Sequence, residues 1–387
     1  MKPYSCPQCQ ARIFFENMSC LSCGAELGYH PQADAMWLIA PSQVEQKEEQ
    51  PSASQSTADA TGQTQAQTPA SARPSVAGAA GEIDAPHAMA CANRTTAAAC
   101  NWLIDASVTE DGNAALCDCC RYTRTIPPLD LVENQIAWRN LEQAKRYLFY
   151  SLRQLNLPIP DRTQQPESGL AFDFLTQLND ATKVMTGHAN GIITINIAEA
   201  DDVVRERRRV ALQESYRTVL GHLRHEIGHF YWDQLIAKNA AADCLPRFRE
   251  LFGDERADYA QALKTHYAAG NDGTWRSNFV SYYASAHPWE DWAETWAHYL
   301  HVVDALDTAA AWQATIGDVS GPIQKIDRHI AAQQFPALLI EQWLPLSQYL
   351  NAACRSLGEA DAYPFELPPA VVDKMTFVHS IVTGQEL

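Results

Sequence analysis

Gly221-His222-Leu223-Arg224-His225-Glu226-Ile227-Gly228-His229-Phe230-Tyr231-Trp232 is the stretch on which the rest of the chain depends. Leu220, Leu223, Ile227, Phe230, Leu235 and Ile236 recur at helical spacing, so it reads as a helix with one face on a core. Residues four apart share a helix face. His225 and His229 can therefore each offer a ring nitrogen to one metal ion, with Glu226 beside the remaining coordination position. A zinc hydrolase needs two neutral imidazoles, a third protein ligand, a position for water and a carboxylate to take its proton. The bland alternative is a helix carrying two half-buried histidines.

The third ligand must come from downstream. A metzincin would carry Gly and His at the positions occupied here by Trp232 and Leu235, so that class is excluded. The remaining choices are Glu255 in Asp254-Glu255-Arg256-Ala257-Asp258, or Glu290, Glu294, His298 and His301 in the segment from His287 to His301. Pro288 suits the first turn of a helix, which puts Glu290 and Glu294 on one face. That spacing lets one carboxylate bind metal while the other takes a hydrogen bond from a ligand histidine.

The remainder of the chain bounds the setting. A chain of 387 residues has room for two or three domains, and a formal charge of -17 argues against nucleic-acid or anionic-membrane binding. No run approaches the ~18 apolar residues of a membrane span, and Met1-Lys2-Pro3-Tyr4-Ser5-Cys6 lacks the apolar core of a signal peptide, so a cytoplasmic protein is expected. Among eleven cysteines, Cys6-x-x-Cys9 and Cys20-x-x-Cys23 form two knuckles, the spacing of a closed four-sulfur zinc site. Cys91, Cys100, Cys117 and Cys120 make a second, looser set, in which Cys119 could replace a neighbour. Two structural zinc ions beside one catalytic ion are expected, with protein contact or fold support as the role of the ribbons.

Composition divides the chain into a ribbon (1–41), a Ser/Thr/Ala/Gln-rich linker too poor in large apolar residues to fold (42–86), a second four-cysteine module (87–128) and a final domain (129–387). In that domain, helical spacing runs over Leu129–Leu155, Leu245–Ala268, Ala309–Thr315, Pro336–Leu357 and Pro368–Val382. Leu170–Phe174 reads as a strand, and Lys183–Thr186 and Ile192–Ile197 as a hairpin around Gly187–Gly191. His188 falls in the expected turn. An edge strand beside the metal helix is where an extended peptide could pair.

The pairing of His225-Glu226-Ile227-Gly228-His229 with a later helical glutamate resembles the gluzincin peptidases. Tyr283-Ala284-Ser285-Ala286-His287-Pro288-Trp289-Glu290-x-x-x-Glu294 is similar to the corresponding segment of the anthrax lethal factor group. By that likeness Glu290 is the third ligand, Glu294 supports a ligand histidine and Tyr283 faces the oxyanion. Together with the cysteine spacings, Cys100-Asn101-Trp102-Leu103 and Gly191-Ile192-Ile193-Thr194-Ile195-Asn196-Ile197, the whole chain resembles a bacterial family of zinc-binding metallopeptidases with an N-terminal zinc ribbon. The resemblance implies an α+β fold: a mainly helical zincin-like catalytic domain with a small β-sheet, preceded by zinc-ribbon modules of four cysteines each. It also implies hydrolysis of a peptide or protein substrate, with zinc-bound water as nucleophile and Glu226 as general base. The competing reading is an interaction or regulatory module whose peptidase domain is idle.

Overall fold

Two short strands, β1 (Tyr4–Ser5) and β2 (Arg12–Ile13), pair antiparallel and carry the first knuckle between them. After the second knuckle, β3 (Leu27–His30) turns back on β4 (Ala35–Ile39). The protein, described here by a computed structural model, is defined over residues 1–39, 87–104, 115–177, 184–211, 214, 216–238, 244–317, 323–324 and 330–385. The 42–86 stretch read as a linker lies outside these residues.

Beyond it, β5 (His87–Ala90) lies parallel to β4 and β6 (Leu103–Ile104) pairs antiparallel to β5. A bridge between Tyr29 and Trp102 brings β6 back to β3, so both cysteine sets share one nearly closed sheet. Gly28 permits that return, because a Cβ there would lie 2.7 Å from the Asn101 carbonyl oxygen.

A second sheet has the order β7-β8-β10-β9, from β7 (Thr123–Thr125), β8 (Ala171–Leu175), β9 (Gly187–Ala189) and β10 (Ile192–Asn196). The hairpin is shifted from its sequence expectation. Its first arm is Gly187–Ala189, and its turn is only Asn190-Gly191, with φ of +50° and +81°. A two-residue loop with both centres left-handed matches the twist of the flanking strands, and Asn-Gly is the pair that tolerates it.

Nine α-helices are described: α1 (Val132–Gln154), α2 (Asp202–Ala211), α3 (Val219–Tyr231, continued by a π turn over Trp232–Ala237), α4 (Cys244–Phe252), α5 (Tyr259–Ala269), α6 (Pro288–Ala311), α7 (Phe335–Leu338, joined by a π turn over Leu339–Trp343 to the next), α8 (Leu344–Ser356) and α9 (Pro369–Thr383). The single helix expected over Leu245–Ala268 is two. Gly253 at φ +102° ends the first, and the Asp258 carboxylate caps the second by accepting from the Gln261 N–H at 2.9 Å. The helix expected to begin at Ala309 is instead the tail of α6. The architecture is α+β and mainly helical.

The core runs from the second sheet through α1 and α3 to α6. Phe172, Phe174, Ile193 and Ile195 of the sheet are buried, as are Leu223, Ile227 and Phe230 of α3 and Trp292 and Trp296 of α6. Trp296 stacks on Tyr231 with ring centres 4.8 Å apart. Behind α6, Lys374 of α9 reaches Asp291 at 2.6 Å in an ion pair removed from solvent. The first ribbon docks on the same body: Phe14 stacks on Trp312 just past the end of α6, and Phe15 packs against Tyr147 and Tyr150 of α1.

Candidate metal centre

The Thr218 hydroxyl starts α3 by accepting from the Gly221 N–H at 3.0 Å. Further along the helix, His225 and His229 bring their Nε2 atoms to 3.3 Å from each other. At the start of α6, Pro288 occupies the first turn and the His287 ring accepts from the Trp289 N–H at 3.1 Å, which places Glu290 in that turn. The two helices meet at Gly228. A Cβ there would lie 3.0 Å from Ala293 Cα and 3.2 Å from Trp296 Cβ, and the Trp292 indole donates to the Gly228 carbonyl at 2.9 Å. That close crossing carries Glu290 to the histidines, with Oε2 lying 3.0 Å from His225 Nε2 and 3.6 Å from His229 Nε2.

These separations provide a test of fit. Zinc with nitrogen and oxygen ligands at ~2.0–2.1 Å in a tetrahedron puts its donors about 3.3 Å apart. The three separations here are 3.0, 3.3 and 3.6 Å. Glu290 Oε2 is buried and has no hydrogen-bond partner among the described residues, whereas Oε1 takes the Tyr259 hydroxyl at 2.5 Å. Glu294 holds His225 from behind, Oε1 lying 2.7 Å from Nδ1, while its Oε2 accepts from the Ser281 hydroxyl at 2.6 Å. That contact puts the His225 proton on Nδ1 and leaves Nε2 as a lone-pair donor.

The electrostatics call for a cation. Burial disfavours charge on His225, but Glu290 and Glu294 outweigh it and push its pKa well above the usual histidine value. Burial also raises the pKa of Glu226, against the pull of His225 and His229. Tyr283 has its ring 5.8 Å from that of His225, and its phenol pKa is driven well up by burial and then by Glu290, so it is a neutral donor at pH 7.

Two further groups are made of sulfur. Cys6, Cys9, Cys20 and Cys23 converge, with Sγ separations of 3.8 Å (Cys6–Cys23) and 3.6 Å (Cys9–Cys20). Cys91, Cys100, Cys117 and Cys120 converge likewise, Cys100 and Cys117 lying 3.7 Å apart. Zinc–sulfur bonds of ~2.3 Å predict tetrahedral edges of about 3.8 Å. Gln10 and Gly24, each following the second cysteine of a knuckle, have φ of +60° and +77°, the left-handed geometry that closes the turn.

A family model described as "Putative zinc-binding metallo-peptidase" matches residues 134–381, and a zinc-ribbon domain model matches twice, over 3–67 and 63–131. The chain belongs to this metallopeptidase family. It is 41% identical over 382 residues to proteins of Mycobacterium bovis and of two Mycobacterium tuberculosis strains, covering 99% of this chain and 95% of each relative, and all three are described only as uncharacterized proteins. No solved structure matches.

Of the candidates for third ligand, only Glu290 joins the histidine pair. Glu255 lies in the break between α4 and α5, where its carboxylate is held by Arg249 at 2.5 and 2.9 Å. His298 bonds the Tyr363 hydroxyl at 2.7 Å, and His301 faces Arg224. Cys119 is buried but stands outside the four-sulfur group. Sequence reasoning missed Tyr259 and Ser281, which no motif marks because each reaches its carboxylate from a different element. It also misplaced His188, a residue of β9 whose ring lies 6.4 Å from His229.

Proposed function

We propose that the chain is a gluzincin-type zinc peptidase acting at His225, His229 and Glu290, with the two cysteine groups holding structural zinc. The observation that carries this reading is the convergence of two imidazole nitrogens and an otherwise unpartnered carboxylate oxygen at tetrahedral-edge distances, with the buried Glu226 near enough to be coupled electrostatically to both histidines. When bound, zinc supplies Lewis acidity that acidifies water and polarises a carbonyl. Glu226 takes the proton of the attacking water on its carboxylate and passes it to the leaving amine. The neutral Tyr283 hydroxyl donates to the oxyanion that develops on the scissile carbonyl. Tyr259 and Glu294 hold Glu290 and His225 in the orientation that aims Oε2 and Nε2 at one point. No helix among the described residues is long and apolar enough to cross a membrane, and a cytoplasmic setting suits thiolate ligands that must stay reduced.

The test is Glu226→Gln, assayed on fluorescein-labelled casein with metal content read by elemental mass spectrometry. Loss of a general base is expected to lower cleavage by on the order of 10²–10⁴-fold while zinc per chain stays at the wild-type value. Unchanged cleavage, or loss of one zinc, contradicts the assigned role.

A further inference from the structure

His188 lies in β9, the outermost strand of the second sheet, and pairs across the hairpin with Ile193. Directly opposed residues of an antiparallel pair project to the same face. Ile193 is fully buried, so His188 points inward, and its ring sits nearly parallel to that of His229 and edge-on to Phe230 at 6.3 Å.

The Gly191 backbone N–H donates to His188 Nε2 at 3.1 Å. A ring nitrogen that accepts a hydrogen bond keeps its lone pair, so the imidazole is neutral and its hydrogen resides on Nδ1. Nδ1 makes no hydrogen bond among the described residues, and it is not among the side-chain atoms sealed from solvent without a partner. The fold therefore uses one edge of this ring and leaves a donor on the other. His188 stands outside the His225, His229 and Glu290 group, so its place beside His229 does not make it a ligand. Along the same strand, the outer backbone groups of β9 face no neighbouring strand among the described residues.

We propose that His188 is a substrate-positioning residue, its Nδ1–H donating to a main-chain carbonyl of an extended peptide laid along the outer edge of β9. This rests on the peptidase reading above. The contact recognises the amide backbone rather than any side chain, and a neutral donor has no charge with which to prefer a terminal carboxylate over an internal carbonyl. It is made in the ground state as well as the transition state, so it acts mainly on KM.

The experiment uses the full-length zinc-loaded chain, fluorescein-casein and a peptide hydroxamate as a binding probe. His188→Phe keeps an aromatic ring against His229 and Phe230 but removes the donor. The expected result is a kcat/KM about tenfold lower, carried by KM with kcat within about twofold, the size of one lost hydrogen bond. His188→Gln, which restores a donor, should recover most of the loss, and zinc per chain should be unchanged in both. The inference is overturned if His188→Phe equals wild type, or if it loses zinc, which would make the ring a prop for His229. If wild type cleaves nothing, the peptidase reading falls by itself, and hydroxamate affinity then decides His188: weaker binding by the Phe variant upholds the donor role and equal binding removes it.

Discussion

The two four-cysteine groups share a ligand set and differ in nearly everything around it. In the first, Cys6 and Cys20 are buried but Cys9 and Cys23 are exposed. In the second all four are buried, and cations surround them: Arg146 and Lys145 of α1 are themselves buried, and both, like Arg94, feel the charge of these cysteines. Four thiolates on one divalent ion leave two negative charges. Water can solvate them at the first group, whereas the second must be neutralised by protein. The same composition thus makes one site a surface staple and the other a part of the main core, because α1 also packs against α3.

The largest expected effect tests that distinction. Cys117→Ser should abolish soluble, cooperatively folded protein, while Cys9→Ser should fold, lose one zinc and keep the histidine-site zinc; soluble yield and zinc per chain would read both. Equal behaviour of the two variants would erase the contrast. A milder probe is Lys145→Met. It removes a cation near Cys119 and Cys120 and strands the buried Glu142, which it meets at 3.0 Å, so urea unfolding should show a loss of roughly 3–5 kcal/mol. A result within about 0.5 kcal/mol of wild type, the size of a surface change, would mean that the cations do not carry the second group.

Smallest is a cap. Thr218→Ala deletes the acceptor for the Gly221 N–H at the start of α3, for an expected cost of about 1 kcal/mol. Because the aromatic contacts of the first ribbon are with α1 and Trp312 beyond α6, whereas Thr218 opens α3, Cys9→Ser combined with Thr218→Ala should be additive to within ~0.5 kcal/mol. A larger coupling would show the staple reaching the metal helix.

The features legible in the sequence are those written within a single element. The i,i+4 pair His225 and His229, the acidic residue beside them, Pro288 opening α6 and the Cys-x-x-Cys knuckles all depend on spacings that one helix or one turn enforces by its own geometry. The hairpin was partly legible: the apolar run from Ile192 marked its second strand, but the first strand, Gly187–Ala189, falls where the turn was expected, and only the positive φ of Asn190 and Gly191 showed where the chain reverses.

Sequence alone determined which side chains could hold metal, because donor chemistry and local period are properties of a short stretch. Tertiary structure alone decided which of them meet. The absence of a side chain at Gly228 lets α6 approach until Glu290 reaches the Nε2 atoms of both rings while Glu294 reaches only Nδ1 of His225 and Glu255 neither; the packing of α5 brings Tyr259 to turn the Glu290 carboxylate; and the cross-sheet pairing of β3 to β6 joins two cysteine groups that are separate in the chain. Distances between elements are set by the volume of what lies between them, and no spacing along the chain encodes that volume.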